Sequence, residues 1–280
     1  KKIGTRDIPA GYYQLHQNGI YHFNKKNYQV ESIIKTQNGA NAYLKKSDEI
    51  QKRTIPIVKT SLTQVSEKKS IKKEIDSTTT KITLRYGLID MNRTITGYLK
   101  GNYNDSADKF ETINGDSIST WNNFNWNSKH YCTSIFIPSE FGTKIKSDVK
   151  NSIVTDSKIH TITHVLVNAS KILTKSESND IDAYYEDGVI HLFDNTSDGY
   201  NGCSKMIYEN FEKIMDTCFD LVNECDCPVD PKQKKAVSEG EEWGGCPKCT
   251  FTTNYCQTKN KKLSKNEALE FFSIFKREIK

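Results

Sequence analysis

The sequence has no run of about 18 consecutive apolar residues, the length a membrane-spanning helix needs, and its opening, KKIGTRDIPA, has no apolar stretch of the kind a secretory leader carries. There is no GxxxxGK[ST] loop, hence no Walker cradle for nucleotide phosphates, and Asp48-Glu49 lies in a polar turn rather than at the end of an apolar strand. ATP hydrolysis by this chain alone is thereby excluded. The histidines, His16, His22, His130, His160, His164 and His191, are scattered and form no catalytic set; His160 with His164 reads equally as one helix face or as a ligand pair. Cys132 and Cys203 stand apart with no local His or Asp arrangement that would mark a nucleophile. No internal repeat is present. A soluble, cytoplasmic protein is expected, and a first residue of Lys rather than Met suggests that an upstream part is missing.

What is present is enough for a real core. The 280 residues are 35% hydrophobic and 10% aromatic, and the mean hydropathy of -0.68 reflects abundant Lys, Asn, Ser and Thr rather than a missing interior. The net charge of +5 is unevenly spread. Residues 1–74 hold 15 Lys/Arg against 6 Asp/Glu, a local +9; residues 175–243 hold 6 against 17, a local −11; residues 257–280 hold 7 against 3, a local +4. Such segregation suits a protein that faces a polyanion on one side, although charge runs are as often plain solvated surface.

From Gly11 to Leu44, aromatic and β-branched residues alternate with polar ones, and Asn18-Gly19 and Asn24-Lys25 fall where hairpin turns belong, so two or three antiparallel strands are expected. A second strand-rich run covers Thr80 to Leu99. The Lys/Ser/Thr-rich stretch from Glu67 to Thr80 reads as an exposed linker, and residues 101–130 as a long polar loop or insertion. Within it Trp121, Phe124 and Trp126 are candidates to stack on nucleobases, though such residues are more commonly core or loop anchors. A strand, YCTSIFIP, leads into a helical region between about Asp148 and Leu173. After the strand GVIHLF and a Gly-bearing turn, one helix is expected from about Ser204. Its apolar face comprises Met206, Ile207, Phe211, Ile214, Met215, Cys218, Leu221 and Val222. A final helix begins after Leu263, with Ser264 and Glu267 spaced as a capping box and Leu269, Phe272 and Phe275 as its stripe. The fold class is α+β: a β-rich part with a long polar insertion over residues 1–147, then a mainly helical domain with a four-cysteine site over 148–280.

Five cysteines fall between residues 225 and 256, as Cys225-x-Cys227, Cys246-Pro-Lys-Cys249 and Cys256. Two thiolates three apart on a Gly-bearing turn form a metal knuckle, and two nearby pairs supply the four soft ligands of a closed Zn²⁺ tetrahedron. A disulfide framework would need an oxidising compartment, an iron–sulfur cluster uses the same ligand number, and a redox CxxC lacks its usual βαβ setting. Zinc is favoured over all three. Five cysteines compete for four places, with Cys256 either the fourth ligand or a neighbour. A closed tetrathiolate site has no open position, so its role is structural.

The ordered set of Asp194, Asp198-Gly199-Tyr200-Asn201-Gly202, an amphipathic helix, Cys225-x-Cys227, Gly245-Cys246-Pro-Lys-Cys249, Cys256 and Leu263-x-Lys265 resembles the zinc-binding C-terminal region of MrfA-like superfamily 2 DEAD/DEAH-box helicases, formerly a domain of unknown function. The opening, with Leu15 to Tyr21 and Tyr28 to Glu31, resembles the segment that precedes it in the same proteins. Two departures stand out: Tyr200 occupies a position usually held by Gly, and the loop between Cys227 and Cys246 carries the insertion PVDPKQKKAVSEGEEWG. The resemblance implies an accessory module that aids single-stranded DNA binding and couples it to RecA-like motor domains, in cis or in trans, which bind ATP and Mg²⁺ outside this chain. It implies work in DNA repair or anti-phage defence. Asp194, Asp198, Gly199 and Gly202 are then a structural turn, and Lys25, Lys26, Lys45, Lys46, Lys52 and Arg53 are the candidates for phosphate contact in the basic opening. The rival reading is a zinc-stabilised scaffold that docks a separate helicase subunit; a hydrolase built on His160, His164 and nearby acids is the weaker third.

Overall fold

The computed structural model describes residues 2–6, 10–37, 39–64, 71–76, 81–104, 109–115, 124–137, 157–177, 179–186, 188–239, 241, 243–252 and 263–275. In chain order the elements are α1 (Ala10–Gln14), β1 (Ile20–Phe23), β2 (Lys26–Thr36), β3 (Gly39–Lys46), β4 (Lys52–Gln64), β5 (Ile71–Asp76), β6 (Lys81–Asn102), β7 (Glu111–Asn114) and β8 (Phe124–Phe136). Then follow α2 (Ser157–Thr174), β9 (Ile181–Glu186), β10 (Val189–Asp194), α3 (Cys203–Glu209), α4 (Phe211–Asn223), α5 (Pro231–Ser238) and α6 (Lys265–Phe275). The class is α+β, as the sequence pattern indicates. No helix of the described residues is long and apolar enough to cross a membrane.

The chain divides into two compact units, residues 1–63 with 91–128, and residues 64–90 with 129–280. The boundary expected near residue 147 lies among residues outside the description. In the first unit β1, β2 and β3 form an antiparallel sheet. Phe23 pairs with Lys26, so Asn24 and Lys25 are the two turn residues, both at positive φ (46° and 61°), as a two-residue type I′ hairpin requires. Asn is tolerated there because its short polar side chain fits the left-handed region, whereas Lys25 bears the strain. Val30 is fully buried, and Ile33 and Ala40 pack with Tyr12, Tyr13, Val58, Ile95 and Trp126 in this unit's core.

Three expectations change here. Trp126 is buried, its ring 4.9 Å from that of Tyr12 and 5.9 Å from that of Tyr13, so it is a core anchor rather than a base-stacking residue. Trp121 lies outside the described residues. The polar insertion contains β7, whose Asn114 pairs with Gly97 of β6, and β8 begins at Phe124, inside the stretch read as loop. The supposed linker contains β5, paired antiparallel with residues 81–86 of β6. Charged strands such as IKKEID have weak apolar alternation, which hides them from a periodicity reading.

In the second unit, β8 pairs with β10 and β10 with β9, both antiparallel, and one face of this sheet packs on helices. Helix α2 is buried along almost its whole length and touches both α4 and α6, which also touch each other. Ile159, Ile162, Leu166, Phe211, Ile214, Phe271 and Phe272 are all essentially solvent-free in the shared core. The single helix expected from Ser204 is two, α3 and α4, broken at Asn210 (φ −114°, ψ 24°). The Asn210 side-chain amide and its backbone N–H both donate to the Met206 carbonyl (3.0 Å each). The break leaves Met206 exposed while the rest of the expected face is inward. At α6 only half of the capping box forms. The Glu267 backbone N–H donates to Ser264 Oγ (3.3 Å), but the Glu267 carboxylate accepts from Ser157 Oγ (2.7 Å), tying α6 to the start of α2.

Two buried histidines give the fold a pH dependence. Burial pushes the pKa of His16 in the first unit and of His191 in the second down to about 4. Each is therefore neutral when folded, while the unfolded chain takes up a proton below about pH 6.5. Stability is complete above that pH and falls as pH drops toward 4, by on the order of 3 kcal/mol per histidine. Urea denaturation midpoints at pH 7 and pH 4.5 should show that loss, reduced in His191→Gln.

Candidate metal centre and the turn beside it

The Sγ atoms of Cys225, Cys227, Cys246 and Cys249 all lie within 4.8 Å of one another. Cys225 and Cys246 are 3.5 Å apart, Cys227 and Cys249 3.7 Å, and Cys246 and Cys249 3.8 Å. With Zn–S bonds of about 2.3 Å, the edge of a tetrahedron is about 3.8 Å, so the sulfur spacing fits a tetrahedral ion. No pair among the described cysteines is a disulfide. Cys256 lies outside the described residues.

Chain geometry explains the convergence. Helix α4 ends at Asn223 and delivers Cys225 and Cys227, while Cys246 and Cys249 sit on a tight turn. The backbone N–H groups of Cys249, Thr250 and Phe251 all donate to the Cys246 carbonyl. The N–H of Lys248 points at Cys246 Sγ (3.4 Å) and that of Cys246 at Cys249 Sγ (3.3 Å). Gly245 is required: its φ is +99°, and a Cβ there would meet Thr250 Oγ1 at 2.0 Å. The insertion after Cys227 folds into α5, capped by Asp230, whose carboxylate accepts from the N–H groups of Lys232 and Gln233, with Pro231 in the first turn.

A ring of outer contacts fixes the sulfurs. Lys265 of α6 donates to the carbonyls of Cys225 (2.6 Å) and Cys227 (3.1 Å), and its Nζ is 3.6 Å from Cys227 Sγ. The indole N–H of Trp243 donates to the same sulfur at 3.3 Å. From α2, Asn168 donates to the carbonyls of Cys249 and Phe251, and His164 Nδ1 to that of Thr250. The His160 and His164 rings lie 4.4 Å apart, both buried on α2. They form a helix face rather than an open ligand pair. Burial pushes the Cys249 thiol up to about 12, and negative charge at Cys227 and Cys225 adds to the rise. Four thiolates this close repel one another unless a cation sits among them.

Asp194 terminates β10 with a fully buried carboxylate. It accepts from the N–H groups of Asn201 (3.0 Å), Gly202 (3.1 Å) and Ser204 (2.6 Å), satisfying orphan donors at the start of α3. Asp198 accepts from the Thr196 hydroxyl and the Tyr200 N–H. Gly199 (φ +72°) and Gly202 (φ +84°) both use the left-handed region. A Cβ on Gly199 would stand 1.7 Å from the Lys129 carbonyl oxygen. Tyr200 is not among the positive-φ residues, so a side chain is accommodated where the resembling proteins usually have Gly.

In the first unit the register places Lys45 opposite Gln29 and Lys46 opposite Tyr28, at the hairpin end that also bears Lys25 and Lys26; all four are exposed. Lys52 is half-buried. Arg53 is committed elsewhere, its guanidinium 5.0 Å from the Phe110 ring centre and 5.6 Å from that of Tyr103.

Residues 162–250 match the MrfA Zn-binding domain family, a span that contains the Asp194 turn and all four clustered cysteines and stops just after Cys249. This part of the chain is thus similar to the MrfA Zn-binding domain. An uncharacterized protein of Methanocaldococcus jannaschii is 27% identical over 121 residues, 40% of this chain and 93% of that protein. Crystal structures of the DUF1998 helicase MrfA share the fold. The DNA-bound form superposes with a TM-score of 0.53 at 18% identity over 95% of this chain, and another with 0.50 at 16% identity over 97%. The chain spans only 31% and 32% of the length of those helicases.

The cysteine cluster owes its Lys265, Trp243, Asn168 and Thr250 contacts to tertiary structure. Only Lys265 had a signal in the sequence, its place in the Leu-x-Lys pattern. In the turn, Gly199→Ala should cost about 3 kcal/mol or more, because strain and a backbone clash coincide. Asp194→Asn should cost about 2 kcal/mol through weakened charge-assisted bonds. Denaturant unfolding of the two variants measures both.

Proposed function

We propose that the chain is a zinc-stabilised accessory region of an ATP-dependent DNA helicase of DNA repair or anti-phage defence, one that binds single-stranded nucleic acid and couples it to RecA-like motor domains. The observation that carries this reading is the four-sulfur cluster within a MrfA-like zinc-binding region. Its support is a fold shared along nearly the whole chain with a helicase solved on DNA. ATP and Mg²⁺ belong to the motor domains, in cis or in trans. In this reading Cys225, Cys227, Cys246 and Cys249 hold one Zn²⁺, and Lys265 offsets the excess negative charge of four thiolates. The metal supplies rigidity and no open position for chemistry. Thiolate ligands suit a reducing compartment, the cytoplasm.

Lys25, Lys26, Lys45 and Lys46 are the phosphate contacts this reading selects, since Lys52 is half-buried and Arg53 is stacked on aromatic rings. A scaffold that only docks a helicase subunit is the rival, favoured by the acidic stretch 175–243, with 17 Asp/Glu against 6 Lys/Arg.

Two measurements separate them. One equivalent of zinc per chain should be released by a thiol-reactive mercurial, with Cys246→Ser losing the metal and Lys265→Met yielding it to a chelator about tenfold faster. Fluorescence anisotropy on a thymidine oligonucleotide should show affinity falling about fifty-fold between 50 and 200 mM salt, for roughly four phosphate contacts on a single strand. Charge reversal of the four lysines should weaken binding and flatten the slope. Affinity indifferent to salt and to the reversals sinks the nucleic-acid reading and leaves the scaffold.

A further inference from the structure

The sheet of the first unit has two faces, and the register assigns each residue to one. Val30 opposite Leu44, Ile33 opposite Ala42 and Lys35 opposite Ala40 lie on the side of that unit's core. Ser32 opposite Tyr43, Ile34 opposite Asn41 and Gln29 opposite Lys45 lie on the other side. An antiparallel sheet with one solvated face is ordinarily polar there. This one instead exposes Ile34 (53% exposed) and Tyr43 (50% exposed), which are diagonal neighbours across the strand pair. Lys45 follows Tyr43 by two residues on the same face, about 7 Å along the strand. Lys46, Lys25 and Lys26 continue the positive charge to the hairpin end.

We propose that this solvent face of β2 and β3 is a base-stacking platform, on which a nucleobase of single-stranded nucleic acid packs flat against Tyr43 and Ile34 while Lys45 on the same face and the lysines at the hairpin end meet the flanking phosphates. The proposal rests on the nucleic-acid reading above and adds the residues that touch a base. An exposed ring on a pleated surface beside lysines is the chemistry of sequence-tolerant single-strand binding, because every base offers a π-face once it is unstacked. A duplex, whose bases are stacked inward, offers no such face. Charge selects this surface over the other exposed tyrosine cluster. Tyr131 and Tyr200, with ring centres 5.2 Å apart, belong to the second unit, where Tyr200 is bonded to the Asp198 carboxylate within the acidic stretch. A polyanion is repelled there and attracted to the lysines of β3.

The test compares two fluorescent probes of about 20 nucleotides on the full chain at one salt concentration: a thymidine oligonucleotide, and an abasic one of equal length and charge. Wild type should bind the thymidine probe about tenfold more tightly. Tyr43→Ala should remove that preference while leaving abasic affinity unchanged, and Tyr43→Phe should retain it. Equal affinity of wild type for both probes overturns the platform, as does a Tyr43→Ala variant that weakens both alike. Failure to bind either probe overturns the nucleic-acid reading itself. Binding without base preference, together with self-association in sedimentation that Tyr43→Ala abolishes, reassigns the patch to a second copy of the chain.

Discussion

Four sulfur atoms within 4.8 Å of one another form the knot on which the second unit depends. The elements they join are individually weak. Helix α4 runs out at Asn223, the knuckle around Cys246 is a single turn, and α6 is a short helix with half a capping box. Bringing the sulfurs together fixes the knuckle against α2 through Asn168 and His164, and fixes α6 through Lys265. Hydrophobic burial of Phe211, Phe271 and Phe272 then acts on helices already held in register. Removal of that knot leaves three helix ends to find the same arrangement by packing alone.

The Asp194 turn does by hydrogen bonding what the cysteines do by sulfur chemistry. One buried carboxylate gathers three backbone N–H groups and so converts the end of β10 into the start of α3. Both features concern rigidity, and neither presents an open site. The surfaces with chemistry to offer lie elsewhere: exposed lysines and a tyrosine on the sheet of the first unit, carboxylates along residues 175–243 of the second.

Much of this was legible because the signals are local. The Asn24-Lys25 turn, the strands around it, the apolar face from Ile207 to Val222 and the CxxC spacing each follow from a few adjacent residues. What was not legible depends on partners distant in sequence. The helix break at Asn210, where side-chain amide and backbone N–H share the Met206 carbonyl, has no Gly or Pro to announce it. β5 and β7 are polar strands held by pairing to β6 rather than by alternation. Trp126 and Arg53 resemble nucleic-acid contacts in the sequence and are buried or stacked in the fold. Of the five cysteines competing for four places, Cys225 and Cys227 both reach the cluster, and Cys256 lies outside the described residues.

The way the chain passes between its two units has a consequence for transplantation. Residues 1–63 begin the first unit, 64–90 leave it, 91–128 return, and the remainder completes the second. Strand β6 therefore has one portion in each unit on a continuous backbone, and so does β8. No contiguous segment holds the second unit without residues 91–128 of the first, so a gene fusion that borrows the cysteine cluster carries that part of the first unit with it. During synthesis the first unit cannot close until Ser128 has emerged, after the hairpin of β5 and β6 that belongs to the second. The middle of the chain is thus shared property: residues 91–128 travel with the cysteine cluster although they complete the other unit.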